Sequence, residues 1–283
     1  MTVSVLVPSS LAREAEDQRE ATRKIGYVAR AATVFRVDRL SVYPDPDGER
    51  KHDDGFVETV LKYAATPPDL RKEVWDTRDE LAYAGVLPPL RSLSQTGSGS
   101  DDSGSLRQGI VTKAVSDGRV RVNCGLQHPI SLPVPDGMDL TERERVTIDV
   151  SSREPVRAKI VGKPSGYTVD TPDLDAAVSR SDAGLTIAAS RHGELLSTDR
   201  LDELAIESAS ADAGEHDYTV AFGAPERGLP AIVGCSPGEV REDGFKETGG
   251  FDLWLNTVPN QGSQVVRTEE AVFATLACLN LMD

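Results

Sequence analysis

The sequence predicts an α/β fold carrying a small inserted β-barrel. Near both ends of the chain, short apolar runs alternate with segments whose apolar residues recur at helical spacing. Between them the period drops to two over five short segments. The stretch from Ser92 to Ser105, almost wholly Ser, Gly, Asp, Gln and Thr, separates the two regimes.

Val3 to Val7 is an apolar run that reads as a buried strand. Ser9 or Ser10 then offers an N-cap for a long helix through Ala12, Ala15, Ile25, Val28, Ala29 and Ala32. Leu40 to Tyr43 completes a βαβ unit. A second helix is expected from Phe56 to Ala64, before Pro67 and Pro68 break it, and a short one from Asp69 to Trp75. The linker, 92–105, is too polar to pack. After it, Gly109 to Val115, Arg119 to Cys124, Ile130 to Val134, Arg145 to Val150 and Val156 to Val161 alternate in and out. Turn pairs such as Asp117-Gly118 and Asp136-Gly137 lie between them, as in a small OB-like barrel. The α/β pattern returns with strand Tyr167 to Val169, helix Pro172 to Ser179, strands Leu185 to Ala189, Tyr218 to Phe222 and Phe251 to Asn256, and a last helix from Glu269 to Leu281. The expected domains are therefore an α/β domain split into 1–91 and 165–283, the linker 92–105, and a barrel at 106–164.

Composition bounds the function classes. At 283 residues and 39% hydrophobic, the chain can bury a substantial core without staples. Cys124, Cys235 and Cys278 are odd in number and unpaired in spacing, which argues against disulfides and zinc and for buried free thiols. No apolar run approaches the roughly 18 residues of a membrane span, and no basic leader precedes Val3, so a cytoplasmic protein is expected. The net charge of -15 would ordinarily disfavour a nucleic-acid partner. Yet only 8 of the 31 cations are Lys; an acidic, Lys-poor surface suits a salt-rich cytoplasm, as in a halophilic archaeon, and Arg keeps its bidentate grip on phosphate. RNA is therefore not excluded.

Three segments at strand ends are the candidates for chemistry: Ser190 to Gly193, Gly223 to Leu229, and Asn256 to Ser263. If their strands are parallel neighbours, they converge on one crevice at the carboxyl edge of the sheet, where α/β folds bind ligands. The third also runs into the first turn of a helix, with its free N–H groups and positive dipole end. Taken singly these are weak signals, since His192 alone reads as a surface histidine and Gly223, Gly228 and Gly262 could be turn glycines.

Phe222-Gly-Ala-Pro-Glu-Arg-Gly-Leu229 followed by Asn256-Thr-Val-Pro-Asn-Gln-Gly-Ser-Gln-Val-Val-Arg-Thr-Glu-Glu-Ala271 resembles the S-adenosylmethionine-binding motifs of SPOUT RNA methyltransferases, in the archaeal and eukaryotic branch with a barrel insert. Val5 to Leu11, Lys24 to Asp38 and Tyr83 to Arg91 share the resemblance, which covers nearly the whole chain; Ser92 to Ser105 fits least.

The resemblance implies a SPOUT-type knotted parallel-sheet domain with an inserted small OB-like β-barrel, a homodimer, and S-adenosylmethionine as the cofactor, held by Ser190, Gly223, Ala224, Pro225, Gly228, Leu229, Leu255, Val258, Asn260, Gly262 and Ser263. It puts Arg30, Asn256, Arg267 and Glu269 forward for catalysis. Without it, Arg30 is an exposed helical arginine paired along its helix, and the acids beside Arg267 merely complement a helix dipole. Arg119, Arg121, Arg157, Lys159 and Lys163 on the barrel are candidate RNA contacts or else solvated alternating positions. The implied activity is methylation of a ribosomal RNA base, uridine N3 first, without a metal or membrane. Ribose 2′-O methylation, an inactive RNA-binding or ribosome-assembly factor, and an ordinary doubly wound nucleotide enzyme are the other readings; the last would need a phosphate-binding glycine fingerprint that Val3 to Leu11 lacks.

Overall fold

The computed structural model describes residues 2–48, 52, 55–68, 70–90, 105–115, 118–126, 128–135, 137–138, 140–142, 144–153, 156–162, 166–209, 217–242 and 248–282. In chain order the elements are β1 (Val3–Pro8), α1 (Gln18–Val34), β2 (Arg39–Tyr43), α2 (Phe56–Ala65), α3 (Arg71–Val74), β3 (Ser105–Val115), β4 (Arg119–Asn123), β5 (Ile130–Pro133), β6 (Arg145–Arg153) and β7 (Val156–Gly162). They continue with β8 (Thr168–Asp170), α4 (Leu174–Val178), β9 (Leu185–Leu195), α5 (Thr198–Ala209), β10 (Tyr218–Phe222), α6 (Leu229–Val233), α7 (Pro237–Glu242), β11 (Leu253–Asn256) and α8 (Thr268–Leu279). The chain divides into two compact units: 1–64 with 79–90 and 167–283, and 65–78 with 91–166.

The first unit is built on a six-stranded sheet in the order β11-β9-β10-β1-β2-β8, parallel throughout. β1 and β10 are buried at every position, as expected where both faces of a parallel sheet are covered. The core beneath the site contains Leu6, Tyr43, Ala188, Ala221, Leu229 and Trp254, the last packed edge-to-face on Phe251 at 5.8 Å. Among the described residues no helix is long and apolar enough to cross a membrane.

Several sequence expectations needed correction. The first helix begins at Gln18, not after Ser9 or Ser10. Asp17 caps it by accepting the Glu20 N–H at 2.7 Å, whereas Ser9 and Ser10 are engaged by Asp45. Ala12 and Ala15 are buried in turns, so their spacing imitated a helical face. The strand expected to stop at Ala189 runs on to Leu195 as β9. β11 pairs Trp254 with Ala188 and then Leu255 with Glu194, so 189–193 bulge out of the β9–β11 ladder, Ala189 still pairing with Phe222 of β10, instead of forming a terminal loop. Helices α5, α6 and α7 had no counterpart; two of them have five and six residues, too few for a period to register. Ser105, expected in the linker, opens β3; the rest of the linker, 92–104, lies outside the described residues, as do Asp117, Asp136 and Lys163. Cys124 is buried, but Cys235 and Cys278 are only half-buried.

In the second unit, β5-β4-β3-β6-β7 form an antiparallel, barrel-like sheet in which β5 and β7 approach each other, so that closure is nearly complete. Alternation dictates its core: Val120, Val122, Leu132, Val146, Ile148 and Val150 point inward, and their sequence neighbours are more exposed.

Candidate active site

The bulge of β9 and the carboxyl ends of β10 and β11, side by side and parallel, open onto a cavity of about 320 Å³. Its walls come from the β9 bulge (Ala189, Ser190, Arg191, His192), from Phe222 to Ala224 with Glu226 and Gly228 to Ala231, from Asn256 to Val258, and from Gln261, Gln264 to Val266, Thr268 and Ala271. The lining is mostly apolar, with a few amides and with Arg191, His192 and Glu226 as its charged or titratable groups.

Close backbone approach sets the shape. A Cβ added at Gly223 would lie 2.3 Å from the Leu229 nitrogen, and one at Gly193 would lie 2.5 Å from the Leu255 nitrogen. Gly223 and Gly228 are thus not left-handed turn glycines; the left-handed residue of this loop is Glu226, at φ 62°. Thr268 Oγ donates to the Gly223 carbonyl at 2.9 Å and so joins the first turn of α8 to the loop after β10. Asn256 uses both ends of its amide: Nδ2 donates to the Arg191 carbonyl at 3.2 Å, and Oδ1 accepts the Val258 N–H at 3.0 Å. It ties the bulge to the loop after β11.

Behind the β10 loop lies a buried anchor that the sequence did not announce. Asp45, fully buried just past β2, accepts from Ser10 Oγ at 2.5 Å and from Arg227 Nε at 3.1 Å. Arg13 Nη1 reaches the Pro225 carbonyl at 3.4 Å, and the Tyr43 hydroxyl donates to the Phe222 carbonyl at 2.5 Å. The loop is therefore fixed from β2, from Asp45 just past it and from the turns after β1.

Of the residues expected to hold a cofactor, Ser190, Gly223, Ala224, Gly228, Leu229 and Val258 line the cavity. Pro225 and Leu255 are buried beside it, and Asn260, Gly262 and Ser263 lie in the exposed loop after β11 without lining it. Of the catalytic candidates, Asn256 is in the wall. Arg30, on α1, donates to the Leu90 carbonyl, and Arg267 Nε is 3.4 Å from Glu14. His192, Glu226 and Gln261, which line the cavity, fall within the three candidate segments but were given no role there, and Gln264 and Thr268 line it from beyond them. Among the described residues, no cluster of three His, Cys, Asp or Glu is arranged to hold a metal ion.

A family model described as “Putative RNA methyltransferase” matches residues 2–279. The chain belongs to this family. It is 69% identical to an uncharacterised protein of Haloarcula marismortui, with 100% of both chains covered. It is 30% identical to the mouse 28S rRNA (uridine-N(3))-methyltransferase, covering 98% of this chain and 76% of that one, and 29% identical to the human enzyme of the same name, covering 98% and 77%.

The electrostatics of this RNA methyltransferase differ on the two sides of its cavity. His192 has its imidazole pKa lowered, first by burial and then by Arg191 and Arg241, which favours the neutral ring; its Nε2 accepts from Arg191 Nε at 3.2 Å. Glu269, one residue beyond the lining Thr268, is 6% exposed, and its Oε2 has no hydrogen-bond partner among the described residues. Burial raises its carboxyl pKa, with Glu14 and Glu270 adding to the rise while its own backbone N–H and Lys24 oppose it. The folded methyltransferase thus keeps this proton to higher pH than the unfolded chain does. Stability is lost as pH rises from the ordinary carboxylate value through the folded one. Glu269→Gln is expected to melt above the parent at about pH 7 and level with it near about pH 4, read by thermal melts across pH. Equal melting at neutral pH would contradict the assignment.

Proposed function

We propose that the protein methylates a base of ribosomal RNA, uridine N3, using S-adenosylmethionine. The observation that carries the cofactor reading is the cavity between the β9 bulge and the ends of β10 and β11, where the backbone comes so close that Gly223 admits no side chain. The residues fit such a ligand. Ala189, Gly223, Ala224, Gly228 and Ala231 let it lie against main chain, and Asn256, Gln261 and Gln264 offer amides for its polar groups. When bound, the cofactor supplies a methyl group activated on a sulfonium. The base reading is supported by the resemblance to proteins whose names specify uridine N3.

The chain's own part is to position the acceptor and relieve it of a proton. His192 and Glu226 line the cavity and are its imidazole and carboxylate, able to accept it, and Arg191 beside His192 could steady the resulting anion. Arg30 acts from α1, in the homodimer of knotted SPOUT-type subunits that the motif resemblance supports. Its replacement by alanine is expected to lower methylation at least tenfold and leave cofactor affinity within about twofold.

The test is calorimetric titration with S-adenosylmethionine and S-adenosylhomocysteine, followed by mapping of modified bases in ribosomal RNA from a deletion strain. Binding near one ligand per subunit and loss of one N3-methyluridine would support the reading. Loss of a ribose methyl instead would move the acceptor, and no binding by the folded protein would move the assignment to an RNA-binding factor.

A further inference from the structure

The barrel-like unit departs from the rest of the chain in charge. Residues 105–166 hold ten Lys and Arg against seven Asp and Glu, whereas the whole chain holds 31 against 46. The excess is concentrated further within the unit. β3 and β4 contain Arg107, Lys113, Arg119 and Arg121 and not one acid. Asp117 lies in the sequence between the two strands, outside the described residues, and on the other side of the sheet Asp149 on β6 is 3.8 Å from Lys159 of β7, so that side is partly neutralised.

The register sharpens the contrast. Lys113 on β3 stands directly opposite Arg121 on β4, and both side chains are exposed. Like charges at facing positions of an antiparallel pair oppose folding. Arg119 is two residues from Arg121 and therefore on the same face, about 6.8 Å along the strand. Its guanidinium is held by Ser131 of β5, with Nη2 donating to the carbonyl at 2.8 Å and Nε to Oγ at 3.2 Å. Three cations thus share one face, without an acid in salt-bridge contact among the described residues, on a protein of net charge -15. Folding alone gives no reason for this arrangement, whereas a bound polyanion would offset the repulsion.

We propose that the outer face of the β3–β4 hairpin, through Lys113, Arg119 and Arg121, is a docking surface for the phosphate backbone of the RNA substrate. The proposal rests on the RNA methyltransferase reading. It narrows the candidate contacts to one side of the sheet and brings in Lys113, while Arg157 and Lys159 on β7 are set aside. Because 105–166 contains no Phe, Tyr or Trp, the face has no ring on which to stack a base. It therefore supplies affinity without sequence preference, and selection of the nucleotide falls to the cavity in the other unit.

The experiment is fluorescence anisotropy of a labelled ribosomal RNA fragment against the full chain over a range of salt, for the parent, Lys113→Gln/Arg121→Gln, and Arg157→Gln/Lys159→Gln. The first double variant is expected to bind at least tenfold more weakly and to reduce the slope of log affinity on log salt by about 1.4 to 1.8, at about 0.7 to 0.9 for each phosphate it no longer neutralises. It should melt no lower than the parent, since relieving a like-charge pair does not destabilise the sheet. The β7 variant should stay within about twofold of the parent in affinity, two removed charges at an uninvolved site being a small long-range effect at moderate salt. Unchanged affinity and slope in the β3–β4 variant would overturn the proposal, as would an equal loss in the β7 variant or parent binding to polyglutamate as tight as to RNA. Calorimetry with S-adenosylmethionine on the same variants separates the two readings: loss of RNA affinity with intact cofactor binding concerns this face alone, and absent cofactor binding in every variant concerns the catalytic reading alone.

Discussion

Gly223→Ala is expected to weaken S-adenosylmethionine binding at least a hundredfold, about 2.8 kcal/mol, while the protein stays folded. The new Cβ would sit 2.3 Å from the Leu229 nitrogen and 2.7 Å from the Gly228 carbonyl carbon, contacts that only a backbone shift can relieve. The loop that must shift is the cavity wall, and overpacking of this kind costs about 1–3 kcal/mol in stability besides. Gly262→Ala is the matching control: a Cβ there meets nothing within 4 Å, so affinity should stay within about twofold of the parent. Calorimetry on both, with circular dichroism to verify folding, decides the matter; equal affinities in the two variants would mean that the Gly223 wall does not meet the cofactor.

Removing the Asp45 carboxylate should markedly destabilise the protein. Asp45→Ala leaves the buried Ser10 hydroxyl without its acceptor and Arg227, whose side chain is only 22% exposed, without its closest anion. Breaking a buried pair from one side costs about 3–5 kcal/mol. At roughly 2–4 °C per kcal/mol for a chain of this class, the midpoint should fall by at least about 6 °C. The loss should reach the site as well, because Arg227 is the residue by which Asp45 holds the loop after β10. Asp45→Asn, which keeps the shape and part of the hydrogen bonding, should fold better yet still raise KM for the cofactor with a smaller change in kcat. Were Asp45→Asn to alter melting alone, Asp45 would be a structural residue without influence on the loop.

How much of this could be read from residues follows from which forces act locally. The barrel strands were legible because alternation is imposed by the pleat, and Val120, Arg121 and Val122 report it directly. The α/β strands were legible as apolar runs between turn residues, and the loops after β10 and β11 as small residues at strand ends. What failed was everything that depends on a distant partner. Ser9 and Ser10 looked like helix caps because nothing near them in sequence reveals that Asp45, 35 residues from Ser10, claims the Ser10 hydroxyl. Ser190 to Gly193 looked like a loop because the register jump of β11 occurs more than sixty residues later. Within the site, Gly223 was legible as a glycine, but its reason, contact with the Leu229 nitrogen in place of a turn conformation, belongs to the packing.

The register jump also dictates how the site exchanges its contents. Residues 189–193 are pinned at one end by Trp254 opposite Ala188 and at the other by Leu255 opposite Glu194, with the Asn256 amide holding Arg191 between them. A wall fastened on both sides is held against peeling open. Across the cavity, the side-chain bonds of the exposed 261–263 segment run to near sequence neighbours, Gln261 to the Ser263 carbonyl and Ser263 to the Val265 carbonyl. Its amides should exchange with deuterium fastest around the site. Traffic in and out should then pass on that side, with solvent viscosity slowing turnover through that segment while the opposite wall stays still.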